Sequence, residues 1–424
     1  MPENFHHGPE IIERSEAAGI VRDVKSAVTF IPGTAPIHLI AEDAEARAAL
    51  INKRLIIRRR EDIAALLGPN IPGYSLPQAV EAIFNKVANG QGGGTIIVVN
   101  VFDPDKHKDD ADKPDPSKVT ALDINGAYDA AGNATGLQLA YGCFNSFGFF
   151  PKVLLAPGFS ELPSVRAQMA VVCNKIKAIN ITDMPLGLTP QQALEERGTS
   201  GLYNTASERA VLCYPRVKAL DSASDDLTLQ PFSQHYTGVL IATDLSQGYH
   251  YSPSNREMVD VFGLERDIAF YPDDYQSDTD LLNGAGIVTV MNMFGSGFRT
   301  WGNRSAAFPT SIDMKNFIHA RRIFDMVHEA ALYYLLRRID MLGDLDMLEM
   351  VEEDVNAFLR QKQGDKAIYG GRFRFDRTKT TSRTVADGQY FYNLAMMPMG
   401  IVERLTVDSY LDISFAKTAL GLSS

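Results

Sequence analysis

The sequence predicts an α/β fold plus an α+β region, and three observations lead there. Strand-like and helix-like stretches alternate from about residue 30 to 295, the order expected of a sheet with crossover helices. After about 297 the pattern changes to long helical stretches followed by alternating strands. At 424 residues the chain exceeds one ordinary core, so two domains, or one with a large insertion, are expected.

Taken in order, residues 1–25 are polar and interrupted by Gly8, Pro9 and Gly19. Ile20, Val24 and Val28 are spaced as on a helix, but Gly19 and the β-branched Val21, Val24, Val28 and Thr29 favour strand. "SAVTFIPGTAP" reads as a buried strand ending in a Pro/Gly turn, and "RLIIRR" as another strand. "SLPQAVEAIFNKVANG" is an amphipathic helix with Ser75 as its cap, Val80, Ile83, Phe84 and Val87 on one face, and Gly90 as its stop. "GTIIVVNVF" is a buried strand; 103–118 is a charged, Pro-broken loop. "PKVLLAPG", "INITDMPLG", "ERAVLCYP" and "GAGIVTVMNMF" are strands, separated by helices in "LPSVRAQMAVVCNKIKAI", "TPQQALEERG" and "FSQHYTGVLIATDLSQG". Two helical segments come next, from "SIDMKNFIHARR" to "RRIDML" and over "DLDMLEMVEEDVNAFLRQKQGD". "GGRFRFDR", "GQYFYNLAMM" and "ERLTVDSYLDISF" close the chain as strands, Phe373 and Phe375 alternating with Arg372, Arg374 and Asp376.

Bulk properties narrow the function. A net charge of −11 argues against nucleic acid as the main partner, because phosphates need clustered Lys and Arg. Three dispersed cysteines, Cys143, Cys173 and Cys213, read as reduced, buried thiols, with an intersubunit disulfide as the alternative. No apolar leader and no run near the roughly 18 apolar residues of a membrane span is present, so membrane insertion is not expected.

Catalytic and ligand motifs are weak. "NGQGGGT" follows a helix and precedes a strand, the reverse of a phosphate loop. Ser160 in "APGFSEL" lacks the G-x-S-x-G elbow and reads as helix-start chemistry. His319 and His328 lie out of phase on one helix, and His6 and His7 point to opposite faces of a strand. Asp109, Asp110, Asp112 and Asp115 lack the glycine and terminal glutamate of a calcium loop. No catalytic residue, cofactor or metal ligand is expected, although an α/β enzyme with an unrecognised site stays open as a reading.

Several stretches together resemble the contractile tail sheath proteins of long-tailed phages and R-type pyocins. "FHHGPEIIERSEAAGIVRDVKSAVTFIPGTAP" is similar to the family's opening, and "YSPSNREMVDVFGLERDIAF" to its S-P-S-N segment. "LLNGAGIVTVMNMFGSGFRTWGNRS" resembles its G-x-R-x-W-G-N-R-T block and carries the single tryptophan, Trp301. "FIHARRIFDMVHEAA" resembles the family's next helix, and "VNAFLRQKQGDKAIYGGRF" its C-terminal region. The charged loop at 103–118 looks like an insertion, and the Pro-rich stretch the family often has before its last strand is mostly missing from "AMMPMGIVERLTV".

The resemblance implies a structural subunit that polymerises as stacked hexameric rings around a tail tube and contracts to drive it through a host envelope. The sheath of a non-phage contractile injection system is the alternative. It implies an outer α/β domain (26–296) inserted between chain ends, the N-terminal arm (1–25) and 297–424, which form an inner α+β domain. Its partners would be further copies of itself, the tail tube protein, and baseplate and tail terminator proteins. Its place would be the virion tail, assembled in the host cytoplasm. Strand arms linking subunits would run over about 5–20 and 402–416, carrying Phe5, His7, Ile11 and Val21 at one end and Val402, Leu405, Val407 and Leu411 at the other. Lys315, Arg321 and Arg322 are candidates for tube attachment, against a solvated helix face. Trp301, Gly302, Asn303 and Arg304 are expected as core and junction residues, against direct interface contact.

Overall fold

The computed structural model describes residues 21–85, 93–129, 131–293, 295 and 297–420. In chain order the strands are β1 (Val28–Gly33), β2 (Leu55–Ile57), β3 (Thr95–Asn100), β4 (Val153–Leu155), β5 (Ile179–Asp183), β6 (Ala210–Cys213), β7 (Val217–Asp221), β8 (Asp226–Gln230), β9 (Val261–Leu264), β10 (Ile287–Met293), β11 (Gly297–Trp301), β12 (Ile368–Phe375) and β13 (Tyr392–Pro398).

Eight of them form one sheet in the order β11-β10-β6-β5-β4-β1-β3-β2. The central strands run parallel, and β2 and β11 close the edges antiparallel. Parallel strands need helices on both faces, which explains the continuous apolar runs in β1, β3 and β4. One face is covered by helices Ser75–Phe84 and Phe232–Ser246, whose Val80, Phe84, Phe232 and Leu240 pack on Ile31, Val98, Leu155 and Ile181. The other face takes helix Pro163–Ile176, where Val165, Met169 and Val172 meet Phe30, Ile97 and Leu154.

A third cluster lies in the C-terminal third. Ile323 and Met326 of helix Ile318–Leu336 and Val355, Phe358 and Leu359 of helix Leu345–Gly364 pack with Phe373 of β12 and with Val21. The β12–β13 hairpin lies on helix Leu345–Gly364 as a two-stranded sheet.

Four expectations are corrected. Ser75 is not the cap of its helix; Tyr74 holds that position, and the Ser75 hydroxyl accepts from Thr34 N at 3.1 Å, tying the helix start to the end of β1. Gly33 is needed there, because a Cβ on it would lie 2.5 Å from Ser75 Oγ. The boundary expected at 296/297 cuts a hairpin: β11 pairs with β10 from Thr289–Trp301 to Met293–Gly297 and belongs to the large sheet. Alternation marks β7, with Val217, Ala219 and Asp221 inward, yet the three-stranded antiparallel sheet β8-β7-β9 was not expected, because each strand has only four or five residues. The strand expected over "ERLTVDSYLDISF" forms no ladder among the described residues. Gly90 and most of "NGQGGGT" lie outside the described residues.

Candidate functional site

The S-P-S-N and W-G-N-R motifs converge on one cleft of ≈ 470 Å³ beneath the start of the C-terminal segment. Its floor is the turn after β11. Gly302 has φ +127°, and a Cβ there would sit 2.5 Å from the Asn283 side-chain amide and 3.1 Å from Val288 Cα, so this position needs glycine. The Asn283 amide, oriented by its hydrogen-bond network, donates to the Trp301 and Ile287 carbonyls and accepts from the Trp301 indole at 3.3 Å. Ser254 Oγ accepts from Gly302 N at 3.0 Å, and Arg299 donates to the Asn255 side chain and carbonyl at 2.8 and 2.7 Å. "SPSN" and "WGNR" are therefore stitched together, far apart in sequence but adjacent in space.

Arg304 is the cleft's charged centre. Its guanidinium lies over the rings of Phe308 and Phe317, at 4.3 and 4.0 Å, and Nη1 donates to Asn316 Oδ1 at 2.9 Å. Its other edge grips Glu403 bidentately, with Nε–Oε1 at 2.8 Å. Arg404 next to it donates to Tyr275 Oη at 2.8 Å. The neighbouring Asn303 carbonyl accepts from Ile318 N at 2.9 Å, starting the long helix. Trp301 packs edge-on against Phe270.

Beyond Arg404 the chain leaves the body. Val402, Leu405, Val407, Tyr410 and Leu411 are 73–89% exposed, and residues 401–412 take part in no strand ladder among the described residues. The sequence here alternates apolar and polar residues, but both kinds are exposed; a strand needs a partner for its backbone groups, and the described part of this chain folds none against it. Asp412 then accepts from Ser414 N at 2.8 Å as helix Ser414–Leu420 begins.

The other end is anchored differently. Val21, expected on an arm, is only 4% exposed and packs inside the chain's own third cluster. Asp23 accepts from Lys362 Nζ at 2.5 Å, and Asp365 accepts from the same ammonium at 3.1 Å. Burial pulls the Lys362 pKa down, but the two carboxylates outweigh it and leave it above the ordinary lysine value. Phe5, His7 and Ile11 lie outside the described residues.

Arg321 and Arg322 are not on a free face. Arg322, 4% exposed, forms a bidentate pair with buried Asp244, and Arg321 bridges Glu208 at 3.0 Å and Asp325 at 2.8 Å. Lys152 pairs with Glu329, and Arg209 with Asp325, just before β4 and β6 begin. Helix Ile318–Leu336 is thus pinned across the amino ends of the sheet strands. Helical spacing shows which residues share a face but not which charges meet it, so the outward placement expected for the two arginines is corrected. Lys315 remains on the surface, 3.4 Å from Asp313. His319 is buried and donates from Nε2 to the Met399 carbonyl at 3.0 Å; burial holds its pKa below the usual histidine value.

The carboxyl ends of the parallel strands, where open α/β folds bind ligands, carry an internal plug. Asp183 at the end of β5 accepts from Ser233 N at 2.7 Å and from Ser233 Oγ, filling the start of helix Phe232–Ser246 with the chain's own carboxylate. Burial pushes the Asp183 pKa up to about 6 against those hydrogen bonds. Ser160, nearby, accepts from Asp183 N at 3.1 Å. All three cysteines are buried, and burial pushes the Cys143 thiol up to about 12, leaving none at the surface to bridge a neighbour. Among the described residues no His/Cys/Asp/Glu group could hold a metal ion, and no helix is long and apolar enough to cross a membrane.

Residues 118–306 match the family model for the phage tail sheath protein central domain. The tail sheath protein of Burkholderia phage BcepMu is 32% identical, the match covering 99% of this chain and 100% of that protein. The tail sheath protein of Escherichia phage P2 is 22% identical over 96% of this chain and 97% of its own length. Among solved structures, the contracted sheath complex of an extracellular contractile injection system, PVC, superposes with TM-score 0.67 at 18% identity, covering 97% of this chain and 99% of that one.

Proposed function

Because the chain belongs to the tail sheath protein family of contractile phages, we propose that it polymerises as stacked hexameric rings around a tail tube and contracts to drive that tube through the host envelope. Its role is structural, in the virion tail. One observation carries the mode of assembly. The same chain presents an exposed, alternating segment without a ladder partner and a two-stranded sheet whose outer edges are unpaired among the described residues. An unpaired edge and an unpaired strand satisfy each other's backbone groups when they belong to different copies. Such a head-to-tail contact can close into rings or repeat from copy to copy as a helix.

The packing of Val21 with the C-terminal helices supports an inner domain built from both chain ends, with the α/β sheet as the outer domain. Residues 5–20 and 402–416 act as the linking arms, keeping copies connected while the bodies rotate. Contraction then needs two packings of one sequence, with the extended one kinetically trapped, and no catalytic residue. Assembly takes place in the host cytoplasm, with baseplate and tail terminator proteins at the two ends of the polymer. Lys315, the exposed member of the three cations considered, is the remaining candidate for a tube contact; Lys315→Glu should weaken co-assembly on tubes, and unchanged decoration would remove it.

Electron microscopy of the purified chain tests the reading. Hollow tubes or stacked rings are expected from the full chain. Removing residues 402–420 should abolish them while circular dichroism of the subunit stays unchanged; polymers of the truncated chain would overturn it. The 32% identity to a phage sheath over the full length favours a phage tail over a non-phage injection system.

A further inference from the structure

From β1 the chain winds toward β3 and β2, and from β4 it winds the other way through β5 and β6 to β10. The helices reflect that reversal. Ser75–Phe84, which leads into β3, covers one face of the large sheet, and Pro163–Ile176, which leads into β5, covers the other. Where strand order reverses, the loops part and leave a crevice beyond the carboxyl ends of the strands. A cleft of ≈ 310 Å³ sits at that point, between the turn before helix Ser75–Phe84, the turn after β4 and the start of helix Phe232–Ser246. Asp183 plugs the helix start beyond β5 but does not line this cleft.

The walls are mostly apolar rings, with Tyr74, Pro157, Phe159 and Pro231 among them, and the polar groups are few. Arg216 is the one charged side chain among the described lining residues, and its charge is matched by Glu161, to which Nη2 donates. Arg216 Nε, however, is buried without an acceptor among the described residues. Gln234 is 0% exposed; its Nε2 donates to Gln230 Oε1 at 3.0 Å, but its Oε1 accepts from no described residue. Buried polar groups are nearly always hydrogen-bonded. A donor and an acceptor left over on two residues of one cleft are complementary to a ligand that carries the opposite pair.

We infer that this cleft is a binding site for a small, neutral, flat molecule carrying both a carbonyl and an N–H, as a lactam or cyclic imide does. The carbonyl accepts from Arg216 and the N–H donates to Gln234, while the ring lies against the prolines and Tyr74. An anion fits less well, because Glu161 already pairs with Arg216 and the Asp183 carboxylate feels the same guanidinium. The volume lies at the lower end of the range of about 300–1,000 Å³ for ligand pockets, which suits one ring and a short substituent. The inference stands apart from the sheath reading, because the site is built wholly within one copy of the chain.

Titration calorimetry of the full chain with uracil, a cyclic imide, tests it. The control is dimethyluracil, methylated on both ring nitrogens, which keeps the ring and its carbonyls but has no N–H. Uracil should bind at one site per chain with a Kd below about 1 mM, and dimethyluracil at least about ten-fold more weakly, because it leaves Gln234 unpaired. Gln234→Leu, close in volume, should weaken uracil about ten-fold and bring the two compounds level. Should that buried change disturb folding, Leu229→Trp tests the same site from its rim, where Leu229 is 42% exposed. It should weaken both compounds by narrowing the cleft, with circular dichroism unchanged. The site is overturned by no saturable binding of uracil, by equal affinity of the unsubstituted chain for the two compounds, or by full uracil affinity in Leu229→Trp. Loss of polymerisation, by contrast, would count against the sheath reading and leave this one standing.

Discussion

Two polar seams meet helix Ile318–Leu336 and the turn before it, and they are built oppositely. Toward the α/β body, Arg322–Asp244, Arg209–Asp325, Arg321–Glu208 and Lys152–Glu329 form a mostly buried set with equal numbers of cations and anions. Toward the C-terminal segment, Arg304 holds Glu403 with 19% and 40% of the side chains in solvent. Removing a partner from the first seam strands a charge in low dielectric, whereas water can replace a partner in the second. The helix and the sheet therefore move as one piece, and the C-terminal segment is an attachment that solvent and salt can loosen.

Breaking the buried seam is the strongest test of that contrast. Arg322→Met leaves the Asp244 carboxylate buried without its partner and should cost about 3–5 kcal/mol in urea unfolding. A loss below about 1 kcal/mol would mean the seam is wet and no firmer than the cleft. A buried carboxyl outside that seam comes next. Asp183 titrates at 3.8 when unfolded and at about 6 when folded, so the folded state holds its proton more tightly. Stability should fall as pH rises from about 4 to about 6, by up to about 3 kcal/mol, then level off. Asp183→Asn should flatten that fall; an unchanged pH profile would show that Asp183 is solvated. The smallest effect belongs to the cleft. Glu403→Gln should change subunit stability by less than about 1 kcal/mol, and salt should erase the difference. A loss as large as that of Arg322→Met would abolish the distinction between the seams.

Much of this was legible in the sequence because periodicity reports local burial. Apolar runs marked β1, β3 and β4, and the alternation of Phe373 with Arg372 and Arg374 marked which side of β12 is buried. The W-G-N-R and S-P-S-N stretches were visible as motifs, but not their meeting, since the residues they join are up to 48 positions apart. The partners Glu403 and Lys362 left no local signal: each ion pair spans 99 or 339 residues and depends on how whole elements stack. For the same reason Arg321, Arg322 and Val21 looked available for outside contacts until packing placed them inside.

Residue order alone was enough for the alternation of the C-terminal segment, the α/β-then-α+β order and the family to which the chain belongs. These depend on patterns a few residues wide or on matching residues one by one. It took the packed chain to show that the alternating segment finds no partner among the described residues, and that the basic helix face is spent on internal acids. Whether a strand is paired or a charge is free depends on which surfaces the rest of the chain has already covered, and no local pattern contains that.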